Sequence, residues 1–564
     1  MEWGRLIGAG ALALALSASA ASAAEAQQHE YADLVFTGGP VVTADAQERI
    51  ADGVAVKGNR IVAVGDVREW RGPATQVVDL EGHALLPGFI DSHSHVSGMA
   101  NVEANFINIQ VPPLSGPQAI IDKLKAAQAK LPKGAWLIGQ GTYNQVMPTR
   151  GQLDAAFPDM PVDLQWSVHD HLINHAAAVA LGMTKDFPDP PAGSTGRYER
   201  TADGEVMISR DAPIDIPAPQ LTYPELKEGV RDILQRFYLE RGVTTVSDLG
   251  DATTLRAYED LQDAGRLPTR VRFNVMALNQ QLFDAAIGSG VRTGFGNDRL
   301  RIGAMKLVED GVWGTTAAVY HPHWEGSGTT WVPNNTGGTR YTQEKLDELV
   351  LAARKAGWQV EIHANGDRAQ DMVLHAYEAA AEKVPSDDPR FRIEHFGHFL
   401  TQDPERTGAR LDRMKRLGVI PSVQVAFLWR LTDENAKEPD VLFFPLRQLI
   451  DMGFHPAGGV DTIGTQNFAT YPMFSIQRAV ARDSKYGTII QPEQAITTME
   501  AIKMFTIWSA EANFLDKTLG SIEVGKLADF VILGGNPLAT PAEELSRIPV
   551  VMTVLDGKIV YERK

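Results

Sequence analysis

The chain has 564 residues, 44% hydrophobic and 22% charged, which suits one large α/β unit with an accessory domain, or three smaller domains. Its formal net charge of −17 argues against nucleic acid and anionic membrane surfaces as partners. Because the sequence contains no cysteine, disulfides cannot stabilise the fold, and any metal must be bound through nitrogen and oxygen ligands.

The first residues predict an export signal. An apolar stretch from Leu6 to about Leu16 precedes the small residues Ala21-Ser22-Ala23, an order typical of a cleavable signal peptide. We therefore expect residues 1–23 to be removed and the mature protein to be periplasmic or secreted. The alternative is an uncleaved membrane anchor, but a span needs about 20 apolar residues and this run is shorter.

Short β-like segments occupy both ends of the chain. Between Tyr31 and Leu86, β-branched runs alternate with turns, and Gly58-Asn59 separates two runs as in a hairpin. The C-terminal end has the same pattern, with a turn at Asp556-Gly557. Neither end has enough strands for a stable sheet, so we expect 24–86 and 515–564 to form one composite β-sandwich domain.

Two histidines follow the next strand-like run. In a strand, residues i and i+2 point to the same face, so His93 and His95 can converge on one metal ion. Neutral imidazole suits Zn, Fe, Ni or Mn. The alternative is that two polar residues simply follow a strand into a surface loop, and so short a motif does not decide between them.

The stretch 101–222 fits no regular alternation and contains loop-like sequence at 186–193. We interpret it as an insertion that covers the site, within a barrel domain of residues 87–514. A second long loop is expected at 322–338, on the same rim.

From residue 226 onward one unit recurs: an amphipathic helix, a glycine, a short apolar strand and a polar residue. Glycine is the usual residue just past a helix end, as at Gly242 and Gly357. Alternating helices and strands predict βαβ units and a parallel sheet, so the fold class is α/β. In a closed barrel of this kind, functional residues lie at the C-terminal ends of the strands.

Four more polar residues follow apolar strand-like runs, so a barrel would direct them to the rim that carries His93 and His95. They are Lys306, His363, His395 and Asp461.

These motifs, with Pro87–His95 and Gly520–Asp529, resemble the amidohydrolase superfamily, specifically its amidohydrolase-3 or YtcJ-like branch, from about Tyr31 to the C terminus. The resemblance implies a (β/α)8 TIM-type barrel with a composite β-sandwich and a mono- or binuclear metal centre. His93 and His95 would bind one metal, His363 and His395 the second, and Asp461 would contact metal and water. One departure is Val460, where the family commonly has serine before this aspartate.

Lys306 matches the family lysine whose amine reacts with CO2 to give a carbamate that bridges two metals. Its alternative is an interior lysine paired with Glu309 or Asp310. The implied reaction is hydrolysis: activated water attacks a carbonyl, and Asp461 takes the proton of the water and delivers it to the leaving nitrogen. Taken alone, Asp461 could equally be a helix N-cap or turn residue.

Three residues are predicted near the substrate. His171 matches a family histidine that can polarise the carbonyl oxygen, although a plain loop histidine is the alternative. Trp313 and Gln424 are predicted to bind substrate at the rim, since aromatic lining is typical of pockets for apolar molecules. Four other histidines are interpreted as structural or surface residues: His321, His323, His398 and His455.

We therefore predict an exported metal-dependent amidohydrolase that cleaves a non-peptide C–N bond of an amide, formamide or N-acyl small molecule. One or two divalent ions are expected per chain, Zn2+ by default, with Mn2+, Fe2+ or Co2+ as alternatives. An esterase, lactonase or dipeptidase can use the same centre. A periplasmic binding protein on a degenerate barrel is the alternative of another class, and it would have lost ligands. The sequence does not decide whether the chain forms a homodimer.

Overall fold

A computed structural model describes residues 31–132, 134–143, 145–167, 169–191, 195–312, 316–320, 336–398, 400–401, 404–437 and 441–564. The predicted signal peptide, residues 1–23, lies outside the described residues. Within these ranges, no helix combines the length and the apolar character that crossing a membrane requires.

The N-terminal segment contributes five strands to one sheet. They are β1 (Leu34–Val42), β2 (Ile50–Lys57), β3 (Arg60–Val64), β4 (Gln76–Asp79) and β5 (Ala84–Pro87). The pairing partner of β5 comes from the other end of the chain, with Leu86 opposite Val531. The two ends therefore share a sheet, and alternate residues such as Phe36 and Phe530 meet in its buried core.

Strand β6 (Phe89–Ser94) begins the barrel, and the following segment folds around a separate six-stranded sheet. Its elements are α1 (Val96–Asn105), β7 (Ile107–Asn108), α2 (Pro117–Gln128), β8 (Leu137–Gly141), α3 (Arg150–Ala156), β9 (Val162–Trp166), β10 (Asp170–Ile173), α4 (His175–Leu181), β11 (Arg197–Arg200) and β12 (Val206–Arg210). This sheet lies within the predicted insertion at 101–222. The domain boundaries themselves stay predictions.

The remaining barrel strands alternate with helices. They are α5 (Tyr223–Ile233), β13 (Val243–Gly250), α6 (Ala252–Asp263), β14 (Arg270–Met276), α7 (Gln280–Gly288), β15 (Leu300–Val308), α8 (Gln343–Lys355), β16 (Val360–His363), α9 (Asp367–Lys383), β17 (Arg392–Glu394), β18 (Leu400–Thr401), α10 (Pro404–Leu417), β19 (Ile420–Val423), α11 (Asp433–Ala436), β20 (Val441–Leu442), α12 (Leu446–Asp451) and β21 (Ala457–Gly458).

Eight parallel strands form a nearly closed barrel in the order β6, β13, β14, β15, β16, β17, β19, β21. Its two edge strands are joined by hydrogen bonds: Ser92 Oγ donates to the Gly458 carbonyl at 2.7 Å, and Asp461 N donates to the His93 carbonyl at 3.0 Å. Because the strands are parallel, their C-terminal ends all open onto one rim.

The chain ends with helices that complete the barrel wall and strands that return to the first sheet. They are α13 (Pro472–Ala481), α14 (Thr498–Met504), α15 (Ile507–Ala512), β22 (Phe530–Leu533), β23 (Val550–Leu555) and β24 (Lys558–Glu562). Gly242, which has a φ of +80°, ends the segment before β13, and a Cβ atom on this residue would lie 2.4 Å from the Val531 side chain.

The predicted fold class is confirmed: a (β/α)8 barrel with a small β domain built from both chain ends.

Candidate metal centre

Three ligand-type side chains meet at the barrel rim. His93 lies near the end of β6 and His95 just beyond it, while Asp461 follows β21. Asp461 Oδ1 lies 3.4 Å from His95 Nε2 and 3.7 Å from His93 Nε2. Within the described part of the chain, this is the one group of three histidine or acidic side chains whose ligand atoms all lie within 4.8 Å of one another. Such a group can bind a divalent metal.

The other predicted ligands lie beside this group. The ring centroid of His395 is 4.8 Å from that of His93 and 4.4 Å from that of His363. All six predicted metal ligands line a single cavity of about 590 Å³. They are His93, His95, Lys306, His363, His395 and Asp461. The structure therefore brings together at one rim residues that lie far apart in the sequence.

A buried carboxylate orients His93. His93 Nδ1 donates to Glu394 Oε2 at 2.5 Å, which leaves Nε2 with a free lone pair facing Asp461. Glu394 is in turn held by the Arg392 guanidinium at 2.8 Å, and Arg392 also contacts Glu361 at 3.1 Å. Burial alone would raise the pKa of Glu394, but Arg392 and His93 hold it well below its usual value. The charged Glu394 thus fixes the imidazole tautomer that a metal ligand requires.

The protonation states suit metal binding. Burial, reinforced by the charge of Lys306, lowers the pKa of His93 to about 4. Burial also lowers the pKa of His363 and His395 well below the usual histidine value, so all three imidazoles are neutral near pH 7. Burial alone would raise the pKa of Asp461, but the hydrogen bond and charges of the neighbouring histidines hold it well below its usual value. Neutral imidazoles and one carboxylate are a donor set for Zn2+ or a similar ion.

Lys306 lies at the base of the cavity and is 2% exposed. Its amine has no hydrogen-bond partner among the described residues, and burial lowers its pKa. The structure does not pair it with either alternative partner. The Asp310 carboxylate accepts backbone N–H bonds from Ala318 and Gly366, and the Glu309 carboxylate is buried without a hydrogen-bond partner in the described structure.

The segment that carries Asp461 packs against β6 and adjoins a cluster of hydroxyl groups. Asp461 has a left-handed φ of +50°, and a Cβ on Gly459 would lie 2.7 Å from that of His93, so this segment packs directly against β6. Thr462 Oγ1 lies 3.0 Å from both Ser94 Oγ and Tyr238 OH. This hydroxyl cluster anchors the backbone on the C-terminal side of Asp461.

The opposite wall of the cavity comes from the insertion. His169, in the turn between β9 and β10, lines the cavity with Tyr143 and Ser167. Its Nδ1 donates to Asp211 Oδ1 at 2.7 Å, while Asp211 Oδ2 accepts from Thr316 Oγ1 at 2.7 Å. Burial alone would lower the pKa of His169, but the Asp211 carboxylate raises it above its usual value. With Nδ1 donating to Asp211, Nε2 can donate to a ligand in the cavity when the imidazole is protonated, the form that the Asp211 carboxylate favours.

Two of the predicted substrate residues, His171 and Gln424, are not among the residues that line the cavity. His171, in β10, is not among the residues that line the cavity, and its Nδ1 donates to Asp163 at 3.0 Å. Gln424 is fully buried behind His398, whose Nε2 donates to Gln424 Oε1 at 3.1 Å. His398, interpreted from the sequence as structural or surface, lines the cavity beside His395.

The structure describes only one of the remaining residues named from the sequence, His455. Trp313, with His321 and His323, lies outside the described residues, so its predicted contact with substrate stays a prediction. His455 is half-exposed and stacks on Trp508 with ring centroids 5.1 Å apart. Sequence reasoning did not single out His169 or Glu394, although both lie beside residues that it named.

Comparisons with known proteins agree with this geometry. A family model described as the amidohydrolase family matches residues 76–561. The chain is 29% identical to the N-substituted formamide deformylase of Arthrobacter pascens, over 94% of this chain and 98% of that protein. It is 27% identical to the putative amidohydrolase YtcJ of Bacillus subtilis strain 168, over 94% and 99% of the two chains.

Among solved structures, an uncharacterized metal-dependent hydrolase from Pyrococcus horikoshii has a similar fold. It superposes with a TM-score of 0.65 at 23% identity, covering 90% of this chain and 99% of that one.

Proposed function

Because the chain belongs to the amidohydrolase family, as its motifs predicted, we propose that it is an exported metal-dependent hydrolase of a non-peptide C–N bond. The substrate is a small amide, formamide or N-acyl compound. The observation that carries this proposal is the convergence of the six candidate ligand side chains on one cavity of about 590 Å³.

The residues present fit a divalent metal, with Zn2+ as the expected ion. His93, His95 and Asp461 offer two neutral nitrogens and a carboxylate oxygen within 4.8 Å of one another. A metal held there supplies Lewis acidity, which acidifies water and polarises a carbonyl oxygen. His363 and His395 are the proposed ligands of a second ion.

Lys306 is proposed to carry a carbamate. A lysine must be neutral to attack CO2, and burial favours the neutral amine. The nitrogen forms a bond to the carbon of CO2 as one C=O π bond opens and one N–H proton leaves. The carbamate shares one negative charge over two oxygens that can bind metal, whereas an ammonium has no lone pair. The lack of a hydrogen-bond partner for this buried nitrogen in the described structure supports that assignment.

Asp461 is the proposed proton carrier. Its carboxylate is 13% exposed and adjoins both His93 and His95, so it can take a proton from the attacking water. The same carboxyl group then delivers that proton to the leaving nitrogen, and the C–N bond breaks. On the opposite wall, His169 is proposed to donate from Nε2 to the carbonyl oxygen, the role predicted for His171.

The C–N bond is favoured over the alternatives by one similarity and one feature of the site. The relative named N-substituted formamide deformylase aligns with 94% of this chain. A degenerate binding protein would have lost ligands, whereas all six positions here retain ligand-type residues. An esterase, lactonase or dipeptidase on the same centre is the second candidate, because activated water does not distinguish leaving groups.

The test is metal analysis of purified protein, followed by a panel of N-alkylformamides, N-acyl compounds, matched esters and dipeptides. We expect one or two ions per chain and C–N hydrolysis that chelation abolishes and Zn2+ restores. His363→Ala should lose activity, while His375→Ala, an exposed histidine on α9, should keep it. Stoichiometric metal without turnover would favour a binding protein, and preference for the esters would favour an esterase.

Export is a separate part of the proposal. It is supported by the apolar run that ends near Leu16 and the small residues that follow. Mass spectrometry of protein recovered from the periplasm or medium should give a mature chain that begins at Ala24 or Glu25. Recovery of the full-length chain from the cytoplasm alone would contradict export.

A further inference from the structure

Two adjacent barrel strands carry no candidate metal ligand at the rim. In the barrel order, β13 and β14 lie between β6, which carries His93, and β15, which carries Lys306. Their C-terminal ends therefore open onto the same cavity, directly beside the ligand cluster. Side chains at the C-terminal ends of β13 and β14 therefore contact the part of a bound substrate that lies next to the reacting bond.

The lining of this sector is apolar. Four side chains from the ends of β13 and β14 and from α7 face the cavity: Leu249, Met276, Leu278 and Leu282. Leu278 is 44% exposed and Leu282 is 41% exposed, although they lie side by side in a cavity wall. Grouped apolar side chains that remain accessible in a cavity indicate contact with an apolar ligand group.

The polar side chains that line the same sector are Asp251 and Thr254, at the start of a helix. Asp251 begins α6, and its Oδ1 accepts hydrogen bonds from Thr254 N and Thr254 Oγ1, both at 2.9 Å. Asp251 Oδ1 and the Thr254 hydroxyl are therefore engaged in capping the helix. His169, the proposed donor to the carbonyl oxygen, lies outside this sector, near His363 at the end of β16. The part of the cavity between the strands that carry His93 and Lys306 is thus lined mainly by apolar side chains.

We propose that Leu249, Met276, Leu278 and Leu282 form a subsite for a hydrocarbon substituent on the nitrogen of the scissile bond. The proposal rests on the proposed C–N hydrolysis, in which His169 and the ligand cluster hold the carbonyl side. In a formamide the formyl group is too small to fill this apolar sector, so the N-substituent occupies it. Each buried methylene should improve binding by about fourfold.

The experiment uses zinc-loaded full-length protein and a series of N-alkylformamides from methyl to hexyl. Kd values from calorimetry and kcat/KM values from formate release are measured for the wild type, Leu278→Ser and Leu282→Ser. Leu538→Ser is the control, because Leu538 is 37% exposed and does not line the cavity. Thermal unfolding verifies that each variant is folded.

We expect affinity to rise with chain length in the wild type and in Leu538→Ser. In each cavity variant the preference for hexyl over methyl should fall about tenfold. A flat dependence on chain length in the wild type, or an unchanged preference in both cavity variants, would overturn the subsite. Length-dependent binding without turnover would instead retain the subsite and refute the proposed hydrolysis, so the two failures are distinguishable.

Discussion

Replacing Asp461 with Asn tests the proposed proton transfer most sharply. Asn has the same size, so it preserves the packing around Oδ1, which lies 3.4 Å from His95 Nε2. It cannot accept a proton. Burial alone would raise the pKa of Asp461, but His95 and His93 hold it well below its usual value, so the wild-type group is an available base throughout the neutral range.

The expected loss follows from that role. General acid–base catalysis by a positioned side chain contributes about 10²–10⁴ in rate. This corresponds to about 3 to 5 kcal/mol of transition-state stabilisation. The metal content should change little, because the His93 imidazole stays oriented by Glu394 and the other ligand side chains remain. Asp461→Asn should therefore lower kcat at near-wild-type metal content.

The assay measures formate release at saturating N-alkylformamide and metal content by mass spectrometry on the same sample. The control is Asp347→Asn, an aspartate on α8 that hydrogen-bonds Gln343 and His375 away from the cavity. It should retain the wild-type rate. Near-normal kcat for Asp461→Asn at full metal content would refute the proton-transfer role, and parallel loss of metal and activity would leave Asp461 with its metal-binding role alone.

Three further changes test the supporting residues. Lys306→Ala should lose metal and activity, as measured by metal analysis and initial rates; unchanged values would dismiss the carbamate bridge. Glu394→Gln should weaken metal binding by about 10- to 100-fold in a chelator competition, because His93 loses its charged partner. Unaltered affinity would contradict that orienting role. Asp211→Asn should move the alkaline limb of the kcat/KM profile to lower pH, because this carboxylate raises the pKa of His169 and extends its protonated range upward. An alkaline limb at the wild-type pH would show that protonation of His169 does not govern the rate.

The barrel and the convergence of its candidate metal ligands on one rim could be predicted from the sequence for a physical reason. Parallel strands share one rim, so a polar residue after each apolar run must lie near the others once the barrel closes. Lys306 on β15, His363 on β16 and Asp461 after β21 follow this rule. The composite sheet followed from a similar consideration, since neither chain end has enough strands alone.

The insertion was less predictable because local pattern does not say which face of a hairpin meets the barrel. His169 and His171 are two residues apart, and each has a carboxylate partner. The turn places His169 at the cavity, whereas the pairing of β9 with β10 places His171 beside Asp163. Nothing in the local sequence identifies Asp211, 42 residues away, as the partner of His169.

The contact of Glu394 with His93 could not be predicted from the local sequence either, although Glu394 lies on a barrel strand. It belongs to a motif noted in the sequence, and the alternation of β17 puts it on the face that carries Arg392. Its function appears only when β17 lies across the barrel from β6, which brings its carboxylate to His93 over a separation of 301 residues. His398 likewise reaches the cavity through a turn that follows β17, which no periodic pattern describes.

Anomalous diffraction from crystals of zinc-loaded protein, collected at the zinc absorption edge, tests the central claim most directly. The expected result is a peak about 2.0–2.2 Å from the Nε2 atoms of His93 and His95 and from the Asp461 carboxylate. A second peak is expected near His363 and His395 if Lys306 is carboxylated. Protein that contains stoichiometric zinc but shows its only peak outside this cavity would contradict the account.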